Sequence, residues 1–255
     1  MDELAPELTY LLLYFQGEPY LHPHFLEMVA YAAERKIYTA TSTNAHFLNH
    51  AKARETVLSG LDRLIISIDG TEQETYQAYR IGGNLEKVKE GVRRLVYWKT
   101  QLGSTTPYLI IQFLVVKPNE HQIPDIFALG KLLGVDEVLL KTAQIYDYQN
   151  GSPLIPSNPV YSRYALQPDG TYTIKNSLEN SCWKMWHSAV VTWDGKVVPC
   201  CFDKDAHHTL GSLGATTFKK VWKAASYQNF RAQLLQSRSQ IAMCKNCTEG
   251  TKVWG

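Results

Sequence analysis

The sequence predicts an α/β protein. A parallel sheet with helices outside it occupies residues 1–145, and a small cysteine-rich hairpin-and-helix domain closes the chain. Three observations predict this. Short apolar runs of strand length alternate with amphipathic stretches of helical length across the first 145 residues, a pattern that builds parallel sheets. The alternation weakens over 146–180, where Pro153, Pro156, Pro159 and Pro168 stand among Asn and Ser, which reads as a linker or cover segment. All five cysteines then fall within 182–247. The expected domains are therefore 1–145, a linker at 146–180, and 181–255.

The elements follow in order. TYLLLYF at 9–15 is a nearly continuous apolar run, as in a strand buried on both faces, and ends at Gln16-Gly17-Glu18-Pro19. Phe25, Met28, Val29 and Ala32 have helical spacing within 24–35. The Thr-rich 38–43 reads as a strand ended by Thr43-Asn44, and 49–59 as a helix stopped by Gly60. A strand at 63–68 ends at Asp69-Gly70, and a long amphipathic helix spans 85–102 with Gly103 after it. Then come a strand at 108–116, a helix at 123–133 closed by Gly134, and a strand at 137–141. Ligands gather at the carboxyl ends of such strands. Those ends carry Glu18, Ser42, Asn44, Ser67, Asp69, Gln112, Lys141 and Gln144.

Composition narrows the class. A net charge of +2 without a basic stripe argues against nucleic acid. The apolar run at 10–15 is too short to span a bilayer and the start has no signal-peptide pattern. No membrane partner is expected, and the chain reads as cytoplasmic and soluble. Trp183, Trp186, Trp193 and Trp222 read as the small domain's core, and Lys87, Lys89, Arg93 and Arg94 as the wet face of the long helix.

The cysteines carry the strongest chemical signal. Twelve residues separate Cys182 from Gly195 and four separate Gly195 from Cys200, while Cys244 and Cys247 form a CxxC. A CxxC at a turn aims two sulfurs at one centre, and the Asp194-Gly195 turn supplies a hairpin that brings up two more. Buried structural thiols and disulfides are the bland alternatives. The clustering disfavours the first, and an odd count without a secretory signal disfavours the second. Cys201, adjacent to Cys200, is the spare thiol. All-sulfur ligation suits zinc and iron–sulfur alike, so spacing leaves both open. At the strand ends, Glu18 can hold an ammonium or simply close a turn. Arg80 can clamp a carboxylate or simply face water, and Thr43-Asn44 reads as a helix N-cap.

Together these marks resemble a radical S-adenosylmethionine enzyme with a C-terminal auxiliary-cluster domain of the SPASM/twitch type. Gln16-Gly17-Glu18-Pro19 resembles the family's GGEP motif, with Gln in the first place, and Ser42-Thr43-Asn44 its TN segment. Ser67-Ile68-Asp69-Gly70 with Tyr76 and Arg80 resembles its S-x-D-G…Y…R stretch, and C-x(12)-G-x(4)-C, GSLG, Val221-Trp222 and CxxC resemble the auxiliary domain.

The resemblance implies a partial (β/α) barrel. Residues Gly17 to Pro19 would meet the methionine amino group of S-adenosylmethionine, and Ser67 and Arg80 its ribose and carboxylate region. Cys182, Cys200, Cys244 and Cys247 would hold one auxiliary [4Fe–4S] cluster, the single-cluster twitch arrangement. It further implies a small-molecule or peptide substrate, an external electron donor such as flavodoxin or ferredoxin, and a 5′-deoxyadenosyl radical that abstracts a substrate hydrogen. One departure stands out. The family's CxxxCxxC, which binds the catalytic [4Fe–4S] cluster, is absent, because no cysteine precedes Cys182. The expectation is a barrel lacking its first β/α unit, an N-terminally truncated chain without radical chemistry. The alternative from another class is a non-catalytic binding protein with a structural four-cysteine zinc site.

Overall fold

The computed structural model describes residues 1–250 and divides them into two units, one of 1–145 with 151–162, the other of 146–150 with the residues from 163 on. The segment expected as a linker is thus shared between both units, and the last residues of the expected 181–255 domain lie outside the described residues.

The first unit is a five-stranded sheet in the order β1 (Tyr10–Leu12), β2 (Tyr38–Thr43), β3 (Arg63–Ser67), β4 (Tyr108–Val115), β5 (Glu137–Thr142). All four pairings are parallel. The crossovers carry α1 (Phe25–Ala33), α2 (His50–Leu58), α3 (Gln73–Tyr79) with α4 (Leu85–Gln101), and α5 (Ile123–Leu133). Helix starts follow side-chain chemistry: Asn49 caps α2 by accepting from Lys52 N at 2.9 Å, and Asn84 caps α4 by accepting from Lys87 N at 2.9 Å. In α4, Leu85, Val88, Val92 and Leu95 recur on one face and are buried. They join Leu64, Ile66, Leu109, Ile111 and Phe113 in a single core. The charged face of α4 pairs with itself, Lys89 and Arg93 with Glu86, and Arg94 with Glu90.

Register assigns the two sheet faces. In-register residues of parallel strands share a face. Thr43 and Ile66 are partners on the helix side, as are Ile66 and Ile111. The alternate residues Tyr10, Tyr38, Ser42, Ile65, Ser67 and Gln112 therefore share the other face.

The structure departs from the sequence pattern at two elements. The run at 9–15 forms only a three-residue strand, and Tyr10 and Leu12 are 45% and 44% exposed. This strand lies at the sheet edge, paired with β2 among the described residues. The second is α3, which apolar periodicity does not announce. Its packing explains Gly70: a Cβ there would lie 2.4 Å from Tyr76 N, so the helix backbone rests directly on the glycine.

The second unit holds two small antiparallel sheets. β6 (Tyr164–Leu166) pairs with β7 (Tyr172–Ile174), while β8 (Val190–Val191), β9 (Lys196–Val198) and β10 (Gly211–Ser212) form the other in the order β10-β9-β8. The expected hairpin exists, but its loop has three residues, 193–195, because Thr192 and Lys196 still pair through Thr192 N to Lys196 O at 2.9 Å. Gly195 takes the left-handed position that this loop type requires. Three helices complete the unit, α6 (Lys184–His187), α7 (Phe218–Lys223) and α8 (Ala225–Ser237). The GSLG and Val221-Trp222 elements meet, since a Cβ on Gly211 would lie 2.7 Å from Val221 Cγ2. The core gathers Met185, Val197, Val221, Tyr227, Phe230 and Leu234 with Cys182 and Cys244. Trp222 packs against it, but Trp186 is 47% and Trp193 98% exposed. These two are not core residues: Trp193 occupies the tip of the hairpin loop.

Candidate functional site

At the carboxyl ends of β1 and β2 one carboxylate organises the backbone. Glu18 Oε1 accepts from Thr43 Oγ1 at 2.8 Å and from Tyr20 N at 3.2 Å, and Oε2 accepts from Asn44 N at 2.7 Å. Glu18 thereby ties the loop after β1 to the end of β2. Tyr20, buried next to it, donates to Thr56 Oγ1 at 2.9 Å and anchors the same loop on α2. Gln16 and Gly17 stand exposed at the tip, and Pro19 opens a single 3-10 turn. Three donors already address the Glu18 carboxylate, so its first role is to hold the turn.

Asn44 is not the cap of α2; Asn49 is. Asn44 instead begins a relay. His46 Nε2 accepts from Asn84 N at 2.9 Å, which leaves Nδ1 to carry the proton and donate to Asn44 O at 2.9 Å. The loop after β2 is thus fastened to the start of α4.

After β3, buried Asp69 accepts from Arg80 Nε at 2.5 Å and from Leu114 N at 2.7 Å. Burial pushes its carboxyl up, while the Arg80 guanidinium and the Leu114 amide pull it back. Arg80 is held through Nε alone. Its two terminal nitrogens make no hydrogen bond among the described residues, a fork free to take a carboxylate. Asn119 secures this corner, donating to Asp69 O at 3.0 Å and to Leu114 O at 2.9 Å while accepting from Val116 N at 2.8 Å. Ser67 ends β3 in register with Gln112, and Ser42 stands one strand away on the same sheet face. Both serines are almost fully buried. Gln16 to Pro19, Ser42 to Asn44, Ser67 and Arg80 therefore all lie at one end of the sheet, at three consecutive strand ends.

In the second unit Cys182, Cys200, Cys244 and Cys247 line one cavity, together with Lys184, Phe202 and Arg238. No three of them sit at single-ion spacing among the described residues. Cys201 is exposed and is not part of the lining. Amides point at the sulfurs: Phe202 N lies 3.4 Å from Cys200 Sγ and Glu249 N lies 3.3 Å from Cys247 Sγ. Arg238 Nη2 also donates to Cys247 Sγ, at 3.4 Å. Gly250 belongs to the cage, because a Cβ there would lie 2.3 Å from Cys182 Sγ. Burial pushes the Cys244 thiol up to about 11, and pushes Cys200 and Cys247 up as well. In the metal-free protein these sulfurs hold their protons, so loading a metal centre must displace them. Four soft donors, amides aimed at sulfur and a buried cation fit a negatively charged all-thiolate centre.

Sequence reasoning missed His46, Asn119 and Arg238 as site residues, and placed Asp69 among the strand-end residues without its role in orienting Arg80. One signal for Arg238 exists. Tyr227, Phe230, Arg231, Leu234 and Arg238 recur at helical spacing, which puts two cations on an apolar stripe. Arg231 is sandwiched by Trp222 and Tyr227, with its guanidinium carbon 4.3 and 4.2 Å from the ring centres.

Comparison with known proteins finds one family model in each unit. A model of the radical SAM superfamily matches residues 1–96, and a model of the SPASM iron–sulfur cluster-binding domain matches residues 182–248. A tungsten-containing aldehyde ferredoxin oxidoreductase cofactor-modifying protein of Pyrococcus furiosus is 26% identical, over 96% of this chain and 75% of its own length. PqqA peptide cyclase of Gluconobacter oxydans is 29% identical over 61% of this chain, a match that spans 42% of the relative. Among solved structures, native anSMEcpe with bound AdoMet and a peptide superposes with a TM-score of 0.63 at 15% identity. That match covers 98% of this chain and 81% of the other. This likeness establishes the fold.

Proposed function

We propose, for a chain that carries radical SAM and SPASM iron–sulfur domains, that it supplies the S-adenosylmethionine-binding and auxiliary-cluster sites of a peptide-modifying oxidoreductase. These two domains imply S-adenosylmethionine and [4Fe–4S] clusters as cofactors. The assignment of individual residues is our reading. The turn at Gln16 to Pro19, held by Glu18, meets the methionine ammonium. Arg80, oriented by Asp69, takes the methionine carboxylate through its two open nitrogens, and Ser67 contacts the ribose. Ser42, Thr43 and Asn44 fix the distance between the first two strand ends. The observation that carries this reading is the Glu18 clamp, because it needs Thr43 and Asn44 from the next strand and so makes the two motifs one structure.

Cys182, Cys200, Cys244 and Cys247 hold the single auxiliary cluster, which supplies low-potential electron transfer when bound. A peptide as substrate is supported by two of the similar proteins, one a peptide cyclase and one solved with a peptide. An electron donor of the flavodoxin or ferredoxin kind completes the scheme. These 255 residues contain no cysteine before Cys182 and so bring no thiolates for the cluster that reduces S-adenosylmethionine. The chain by itself should bind S-adenosylmethionine without cleaving it.

The test is metal and sulfide content with an absorption spectrum, on protein purified without oxygen. About four irons and four sulfides per chain support the cluster. One zinc without sulfide favours the second reading, a structural staple, which the all-sulfur donor set also allows. Cys244→Ser should lose the auxiliary iron while leaving S-adenosylmethionine binding, followed by calorimetry, within a factor of about two. Full iron content in this variant would remove Cys244 from the ligand set.

A further inference from the structure

We infer that Arg238 is the buried counter-ion of the auxiliary cluster, a positioning residue that raises the cluster's reduction potential. The inference rests on the four-cysteine cluster reading above.

Arg238 is fully buried. Nη1 donates to Ser181 O at 2.8 Å, and Nη2 donates to Glu249 O at 2.7 Å and to Cys247 Sγ at 3.4 Å. Nε has no partner. Its own backbone is held in turn, with Arg238 N donating to Asn180 Oδ1 at 2.9 Å. The acceptors at the guanidinium are two backbone carbonyls and a cysteine sulfur, and no carboxylate pairs with it among the described residues. The nearby Glu249 carboxylate is engaged by Lys184, a second cation lining the same cavity. The cavity thus contains two cations and one carboxylate before any thiolate is counted.

A charge taken fully out of water needs an opposite charge. Among the described residues, the cysteines at the cavity wall are the groups left to provide it, and they do so only as thiolates. A thiolate-ligated cluster carries net negative charge, and it becomes more negative when reduced. A fixed cation donating to one of its sulfurs favours the reduced form and raises the potential.

The experiment is a potentiometric titration of the auxiliary cluster, followed by electron paramagnetic resonance, on the reconstituted full chain and on Arg238→Gln and Arg238→Lys. In R238Q the ratio of reduced to oxidised cluster at a fixed potential should fall about tenfold, a negative shift of about 59 mV for one electron. R238K should stay within about threefold of the unaltered protein. An unshifted potential in R238Q overturns the inference while leaving the cluster reading intact. Protein that takes up no iron and sulfide overturns both.

If R238Q does not retain the cluster, the iron and sulfide content of Arg238→Lys decides instead. Full cluster content in R238K supports the counter-ion, because that variant keeps the positive charge and loses the guanidinium fork. Loss of the cluster from R238K as well makes Arg238 only a hydrogen-bonding strut and overturns the inference.

Discussion

At the residue scale, the ends of the first three strands are held by side chains whose hydrogen-bond capacity is nearly spent inside the protein. Glu18 shows the consequence. Its carboxylate serves three donors, two of them backbone amides, and only an ionised carboxyl presents both oxygens as acceptors. Glu18→Gln turns an NH2 group toward the Asn44 amide or the Thr43 hydroxyl and leaves a buried donor unmet. The expected loss is about 1–3 kcal/mol of stability, read from chemical denaturation, together with weaker S-adenosylmethionine binding by calorimetry. Unchanged values for both would mean that Glu18 does not hold the turn. Arg80 is the complement: one nitrogen is spent on orientation by Asp69, and two are kept for a ligand.

At the element scale, helices serve the strand-end loops by pressing on them. Gly91, in the middle of α4, sits where a Cβ would lie 2.7 Å from Ala45 O and 3.2 Å from Leu48 Cβ. Helix propensity alone predicts that Gly91→Ala stabilises by about 1 kcal/mol. The contact with the loop after β2 reverses the sign, because overpacking against a backbone carbonyl costs about 1–3 kcal/mol. The variant should melt at a lower temperature than the unaltered protein and bind S-adenosylmethionine more weakly, since Ala45 follows Asn44 directly. A higher melting temperature would mean that α4 does not brace this loop. α3 works the same way on the other side, with Tyr76 buried on Gly70 and Arg80 released at its carboxyl end.

At the scale of the whole molecule, the two units draw on different sources of stability. The first has a large apolar core under a parallel sheet. The second is smaller, and Cys182 and Cys244 are themselves core residues, so its stability is linked to the state of its thiols. The sign follows from the direction of the shift. Burial raises the Cys244 thiol from an ordinary 9.0 to about 11, and raises Cys200 and Cys247. A raised acid contributes stability below its unfolded value, and that contribution is lost as pH climbs through the folded one. Metal-free protein should therefore lose thermal stability between about pH 9 and 11, whereas cluster-loaded protein, whose thiolates carry no proton, should not follow it. Parallel curves for the two forms, measured by circular dichroism under anaerobic conditions, would contradict a thiol-bound centre. No described helix is long and apolar enough to cross a membrane.

Sequence alone determined the parallel α/β sheet, the position of four of its strands to within a residue or two, and which four cysteines line one cavity. Each of these is written in local chemistry: apolar runs of strand length, side chains that cap helices, and thiols at fixed spacing. It could not show that the strand at Tyr10 would be only three residues long with Tyr10 and Leu12 exposed, since that depends on what the fold packs against each face. Nor could it show that Trp193 stands on a loop tip rather than in a core, because an aromatic residue in a short hairpin reads the same either way. Above all, tertiary structure decided the partners. Glu18 meets Thr43 and Asn44 across 25 and 26 residues, Asp69 meets Leu114 across 45, and Arg238 meets Ser181 across 57. Sequence periodicity records which residues share a face, but a charge or hydrogen bond is satisfied by whatever the fold brings within about 3 Å, and that distance exists only once the chain has closed on itself.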